Sequence, residues 1–137
     1  MSRDEVAPLV LPIVETIPQV RFSDTDMMGH ISSMSYATWA EVGRADFFGE
    51  VREENIPWFV LVRLELDFHR EGRFGDPFRM LTRCAAIGEK SMTLEQRILV
   101  NDQRVCTIKV VMAGFDMKTR KAIPVPSHWR PSPEIVD

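Results

Sequence analysis

Residues 21–44 of this chain read RFSDTDMMGHISSMSYATWAEVGR and carry its strongest structural signal. An apolar, strand-like run leads into two acids, a glycine and a histidine, and two serines then precede an amphipathic segment. The segment therefore places a carboxylate a few residues before the unpaired amides of a helix N-terminus. Such amides bind anions and stabilise developing negative charge. A base or nucleophile beside them is the minimum requirement for cleaving an acyl group.

The residues that follow this turn have helical periodicity. From about Ser33 to Glu50 the apolar side chains recur every three or four positions, which predicts one long amphipathic helix. Ser32 or Ser33 is a natural N-cap, because a serine hydroxyl accepts a hydrogen bond from an orphan amide. One face of the predicted helix carries Tyr36, Ala40, Gly43 and Phe47.

The rest of the chain reads as strands joined by short turns. A strand is predicted at Ile13–Phe22, with Pro18 marking an edge or a bend. Four more strands are predicted after the helix: Val60–Phe68, Phe78–Ile87, Met92–Val100 and Val105–Phe115. Because no βαβ unit repeats, this order favours an α+β fold in which a five-stranded antiparallel sheet wraps around one central helix.

The strand after the helix has a regular alternation. Its predicted apolar face carries Val60, Val62, Leu64, Leu66 and Phe68, and the opposite face is mostly polar. Such a strand has one face against a core and one face toward solvent.

Length and composition indicate one ordinary globular domain. The 137 residues are 45 % hydrophobic and 27 % charged, which fits a single domain over residues 1–137 with irregular tails at 1–12 and 124–137. The net charge of −3 and the scattered basic residues exclude a typical nucleic-acid-binding surface. Cys84 and Cys106 are too few for a disulfide framework and fit free thiols in a reducing compartment.

The N-terminal apolar run is short and is not typical of a targeting or membrane segment. Asp4 and Glu5 are unlike the basic leader of a signal peptide, and Pro8 and Pro12 interrupt the run. It is also too short to span a bilayer. We therefore expect a cytoplasmic protein without a membrane partner.

The motif in the first segment resembles a known family. The pattern Phe22-x-Asp24-x-Asp26-x-x-Gly29-His30, followed by Tyr36 and Glu41-x-x-Arg44, is similar to the signature of hotdog-fold acyl-CoA thioesterases of the 4-hydroxybenzoyl-CoA type. The similarity extends over roughly residues 15–130, although only the block from Arg21 to Arg44 is specific. One departure is that many relatives carry Asn-Asn where this chain has Ser32-Ser33.

The resemblance implies a hotdog fold that hydrolyses an acyl-CoA thioester to a free acid and coenzyme A. It implies that Asp26 is the catalytic carboxylate and that a backbone amide near Ser33 holds the thioester oxygen. It also implies a homodimer or homotetramer with its sites at the subunit interface. The hydrolysis itself requires no metal or redox cofactor. Some relatives take the carboxylate from the central helix, which makes Glu41 the reserve candidate.

Residue by residue, the other members of the motif have both structural and functional interpretations. Asp24 reads mainly as a hydrogen-bond anchor for the turn, and Gly29 as a turn glycine or a point of close approach to ligand. His30 is equally compatible with a packing role and with orienting water or transferring a proton. Tyr36 is more typical of a core residue than of a catalytic one, with substrate contact as its functional alternative. Glu41 and Arg44 are spaced to pair along the helix.

Three residues outside the motif are candidates for substrate binding. Lys90 and Ser91 lie at a predicted turn, where they either contact the phosphates of coenzyme A or remain solvated. Trp58 is a candidate for an acyl pocket, or equally for a core or interface position. Asp26 and His30 alone are too few ligands for a metal site.

Two other functions fit the same residues. Hotdog enoyl-CoA hydratases or dehydratases also use an Asp and a His, although the Asp26–His30 spacing fits that arrangement poorly. A non-catalytic acyl-binding protein on the same scaffold is the other alternative, since a fold alone does not establish a function.

Overall fold

The computed structural model of the chain describes residues 6–136. Within that range lie one α-helix and seven strands: β1 (Leu9–Val10), β2 (Val14–Thr16), α1 (Ser33–Gly49), β3 (Trp58–Phe68), β4 (Phe78–Ile87), β5 (Ser91–Val100), β6 (Gln103–Phe115) and β7 (Trp129–Arg130). Five strands form one antiparallel sheet in the order β2-β4-β5-β6-β3. The helix packs on β2, β4 and β5, so the predicted sheet around a central helix is confirmed.

The helix begins and packs as its sequence predicts. Ser32 is the N-cap, and its hydroxyl accepts a hydrogen bond from Met34 N at 3.3 Å. Gly43 allows close contact with the sheet, because a Cβ at this position would lie 2.6 Å from Met80 Cε and 2.9 Å from Gln96 Nε2. The apolar face of α1 therefore lies directly on the inner face of the sheet.

The predicted alternation along β3 is wrong at its start, because β3 contains a bulge. Leu61 pairs with Met112 and Arg63 with Val111, so Val62 is an extra residue without its own partner. An extra residue moves the preceding side chains to the opposite face of the sheet. Phe59 and Leu61 consequently share the inner face with Leu64, whereas the sequence pattern predicts Leu61 on the outward face.

The first strand is shorter than predicted. Only Val14–Thr16 pairs with the sheet, and Phe22–Asp24 forms a single 3-10 turn in place of the predicted strand end. Pro18 has no amide to donate to a neighbouring strand, which agrees with the end of the pairing just before it. The 3-10 turn is stabilised by Asp24, whose Oδ2 accepts from Arg21 N at 2.7 Å.

The terminal segments contain more structure than the predicted irregular tails. Residues 1–5 and 137 lie outside the described residues. Within the rest, β1 pairs in parallel with β7, while Leu11 and Trp129 are almost fully buried. Trp129 Nε1 donates to Glu53 Oε1 at 2.7 Å, and His128 also contacts this carboxylate. The apolar side chains in these segments account for the difference, since burying them favours packing of both ends on the domain.

Candidate active site

Asp26 builds the turn in front of the helix. Its Oδ1 accepts hydrogen bonds from Met28 N at 2.8 Å and from His30 N at 3.1 Å. Gly29 has a φ of +79°, a conformation that glycine adopts at little cost. Oδ2 of Asp26 makes no hydrogen bond to the described residues, so one carboxylate oxygen remains available while the other holds the turn.

A second loop packs against this turn. Ile31 N donates to Gly72 O at 2.8 Å, and His30 Nε2 lies 3.1 Å from Glu71 Oε2. The same carboxylate oxygen also lies 3.4 Å from Arg73 Nη2. The segment after β3 therefore fixes both the backbone and the imidazole of the turn.

A cavity of about 480 Å³ opens where these two loops meet the helix N-terminus. Its lining residues are Asp26, His30, Ile31, Ser33, Tyr36, Phe68, His69, Arg70, Glu71 and Gly72. Four candidates from the sequence thus line one cavity, whereas Gly29 shapes the adjoining turn without lining it. The volume is typical of a small-molecule site.

The helix N-terminus leaves one backbone donor free, and this donor belongs to Ser33, a residue that lines the cavity. Met34 N is used by the Ser32 cap, and Ser35 N donates to Ser32 O at 3.0 Å. The N–H of Ser33 has no hydrogen-bond partner among the described residues. A free amide at the positive end of a helix dipole is suited to a carbonyl oxygen or an anion.

Tyr36 lines the cavity and has a buried hydroxyl. The residue is 3 % exposed, and among the described residues its hydroxyl is the only inaccessible side-chain polar atom without a hydrogen-bond partner. Burial raises the pKa of Tyr36 to about 12. The ring packs edge-on against Trp39 and Phe78. Tyr36 is therefore a core residue that also contributes to the cavity wall.

The other candidates lie outside this cavity. Glu41 and Trp58 line a separate, largely apolar cleft of about 780 Å³ beside the second half of α1. Lys90 and Ser91 lie at the turn between β4 and β5 and line neither space. The predicted Glu41–Arg44 pair does not form a salt bridge within the described residues, and Arg44 donates to Gln96 Oε1 at 3.2 Å instead.

Sequence reasoning missed the residues of the second loop. His69 lines the cavity, and its Nε2 lies 2.8 Å from Thr107 Oγ1. Arg70 and Glu71 line the cavity as well. No local pattern marks them, because their position depends on how the end of β3 packs against the turn at Asp26.

Neither a metal site nor a membrane span is found in the described part of the chain. Over residues 6–136, no group of three or more His, Cys, Asp or Glu side chains is placed to hold a metal ion. No helix in that range is long and apolar enough to cross a bilayer.

A five-stranded antiparallel sheet wrapped around one central helix is the hotdog fold. The chain belongs to the thioesterase-like superfamily, whose family model matches residues 20–132. The predicted family is thereby confirmed, and thioester hydrolysis is the reaction class that it supports. A search of curated protein sequences finds no match.

Solved structures with the same fold include several thioesterases. A predicted thioesterase from Bacillus stearothermophilus is 25 % identical with a TM-score of 0.74, covering 85 % of this chain and 90 % of that one. A thioesterase from Thermus thermophilus complexed with coenzyme A and Zn is 23 % identical with a TM-score of 0.75, covering 86 % and 88 %. A DHNA-CoA thioesterase from Staphylococcus aureus is 19 % identical with a TM-score of 0.71, covering 85 % and 81 %.

Proposed function

We propose that this protein hydrolyses acyl-CoA thioesters in the cavity between Asp26 and the N-terminus of α1. The observation that carries the proposal is that Asp26, with Oδ2 unpartnered, lines the same cavity as Ser33, whose N–H is also unpartnered. A thioester there would have a carboxylate for its carbonyl carbon and a donor for its carbonyl oxygen. These are the two groups that acyl transfer requires.

The chemistry follows from these two groups. Either Oδ2 of Asp26 attacks the carbonyl carbon, or it takes a proton from a water that attacks. In both routes negative charge develops on the carbonyl oxygen, where the Ser33 amide and the dipole of α1 stabilise it. The carbon–sulfur bond then breaks, and coenzyme A leaves as its thiolate. In the first route water hydrolyses the resulting mixed anhydride.

The remaining residues of the cavity assist this step. His30 is held by Glu71, so its other ring nitrogen is oriented to position water or carry a proton. Gly29 keeps the turn compact, and Tyr36 forms the floor beneath the bound thioester. In this proposal Asp24 has a structural role, because its Oδ1 accepts from Ser35 Oγ at 2.8 Å and ties the turn to the helix.

We further propose that the working unit is a homodimer, or a homotetramer built from such dimers. Strand β3 is at the edge of the sheet, and its apolar side chains Trp58, Leu61 and Val62 are 69 %, 47 % and 62 % exposed. Exposed apolar edges pair readily with another strand. Antiparallel pairing of β3 with its copy would place Trp58, near the apolar cleft, beside the partner's cavity at Phe68.

This arrangement gives the remaining candidates a role across the interface. Trp58 and Glu41 of one subunit would border the acyl group bound at Asp26 of the other. Lys90 O accepts from Gly114 N at 3.0 Å, which places the turn of Lys90 and Ser91 at the same end of the sheet as Trp58. From there both residues would contact the coenzyme A portion.

A reducing, cytoplasmic location is consistent with the two cysteines. Cys84 and Cys106 are free and buried. Burial raises the pKa of Cys84 to about 11 and that of Cys106 to about 12, so both stay protonated and unreactive near neutral pH.

The test is thiol release from a panel of acyl-CoAs by the wild type and Asp26→Asn. Asparagine keeps an oxygen for the amides of Met28 and His30 and replaces only the reactive oxygen. We expect a rate loss of at least about 10²-fold in the variant. Asp24→Asn is the matched control, since it alters a neighbouring carboxylate that anchors the turn.

Other outcomes would contradict the proposal. If no acyl-CoA is cleaved, or if Asp26→Asn keeps the full rate, thioester hydrolysis at this site is wrong. Loss of enoyl absorbance without thiol release would instead identify a hydratase. Acyl-CoA binding by calorimetry with no turnover would identify an acyl-binding protein.

A further inference from the structure

The apolar cleft beside the second half of α1 contains a buried cation. Phe48, Trp58 and Leu61 are among the apolar residues that line this space of about 780 Å³. Arg44 lines it too, although this residue is only 8 % exposed. Burying a guanidinium is costly unless it is paired, so its presence in an apolar wall calls for a partner.

The guanidinium of Arg44 has unused donors. Nη1 donates to Gln96 Oε1 at 3.2 Å, and no other hydrogen bond or salt bridge of this group occurs among the described residues. In the same range only the Tyr36 hydroxyl is both inaccessible and unpartnered. Nε and Nη2 of Arg44 must therefore have accessible surface. Because Arg44 lines the cleft, we take these donors to face its contents.

The groups near Arg44 among the described residues do not balance the positive charge of its guanidinium. Gln96 is neutral, and its amide nitrogen already donates to Ala40 O at 2.9 Å and Thr82 Oγ1 at 3.1 Å. Glu41 lines the same cleft, but it is exposed and makes no salt bridge with Arg44. Burial lowers the pKa of Arg44, and attraction to Glu41 offsets part of that effect. The cation thus lacks a close anionic partner.

We propose that the cleft binds the acyl group and that Arg44 selects acyl groups with an oxygen acceptor, carboxylate or hydroxyl, at the end remote from the thioester. The inference rests on the proposed function, because the acyl group reaches the cleft from Asp26 of the partner subunit. The apolar walls bind the carbon chain or ring. The guanidinium supplies the planar pair of donors that suits an oxygen acceptor.

The test uses acyl-CoAs in length-matched pairs. Thiol release is measured for butyryl and succinyl, hexanoyl and adipoyl, and octanoyl and suberoyl thioesters, with ω-hydroxyhexanoyl-CoA to separate hydroxyl from carboxylate. At the length that reaches Arg44, we expect kcat/KM to favour the oxygenated member by about tenfold or more. If the acyl-CoA without the terminal oxygen has the same kcat/KM as its oxygenated partner at every length, the inference is wrong while the proposed function stands. If no thioester is cleaved, the proposed function fails, and the inference fails with it.

Two variants test whether Arg44 causes the preference for oxygenated acyl-CoAs. Arg44→Gln should abolish the preference for the oxygenated acyl-CoA. The readout is the ratio of the kcat/KM values for the two substrates, which does not depend on how much of the variant folds. Glu41→Gln changes an exposed residue, and it should raise the preference for the carboxylate member by removing a competing negative charge. An unchanged ratio in Glu41→Gln, or in folded Arg44→Gln, would overturn the inference.

Discussion

At the scale of single residues, Glu71 holds the imidazole of His30 in the candidate cavity through its contact with Nε2. Glu71→Ala removes this acceptor and leaves the ring free to rotate. In steady-state kinetics with the best acyl-CoA, we expect kcat to fall about tenfold and KM to stay nearly unchanged, because in the proposed mechanism the ring serves the chemical step more than substrate binding.

Control variants separate this role from a general charge effect. Glu54→Ala removes another exposed negative charge elsewhere, and it should leave kcat unchanged. Combining Glu71→Ala with His30→Gln should cost little more than His30→Gln alone, because both changes disable one unit. An unaltered kcat in Glu71→Ala would show that His30 does not depend on this contact.

The sequence predicts those residues of the candidate site that lie close together along the chain. It does not predict those that tertiary packing brings to the same place. Asp26, Ser33 and Tyr36 are close along the chain, so turn and helix geometry alone bring them to one place. Glu71 reaches His30 only because Ile31 pairs with Gly72. That contact depends on where β3 ends relative to the turn, and no periodicity in the sequence encodes it.

At the scale of secondary-structure elements, the contact of α1 with the sheet depends on Gly43. Gly43→Ala would place a methyl group against Met80 and Gln96, and overpacking of this kind typically costs about 1–3 kcal/mol. Gly49→Ala is the control, since a Cβ there meets no atom within 4 Å. Chemical denaturation at one protein concentration should show a loss of stability for Gly43→Ala and no loss for Gly49→Ala. Equal stabilities would show that the helix shifts to absorb the methyl group.

The strands show where the hydrophobic periodicity of the sequence predicts strand bounds and faces, and where it does not. The bounds of β4 agree with the sequence prediction, and those of β5 and β6 differ only at their first residues. In β3 the apolar run from Trp58 to Val62 has no polar residue to mark a face, so the bulge at Val62 left no signal. Polar Arg63, Glu65 and Asp67 fixed the face after the bulge, and there the prediction holds.

At the scale of the whole molecule, the candidate residues occupy two separate spaces. Asp26 and Ser33 line the cavity at the start of α1, whereas Arg44 and Trp58 line the apolar cleft near its end. Within one subunit the two spaces lie near opposite ends of β3. In an antiparallel pair of β3 strands, the cavity of one subunit would adjoin the cleft of the other. An isologous dimer would then hold two composite sites.

Subunit complementation tests this arrangement. Asp26→Asn disables the carboxylate, and Ala45→Trp fills the cleft at an exposed position without altering Arg44. Each variant alone should be inactive toward the preferred acyl-CoA. In a mixed dimer, one site would combine the intact Asp26 of one subunit with the intact cleft of the other.

The two variants are denatured and refolded together in equal amounts. Half of the dimers are then mixed and each of these has one working site, so about one quarter of wild-type activity should return. Refolding each variant separately is the control, and a mixture that stays inactive would place the whole site within one chain.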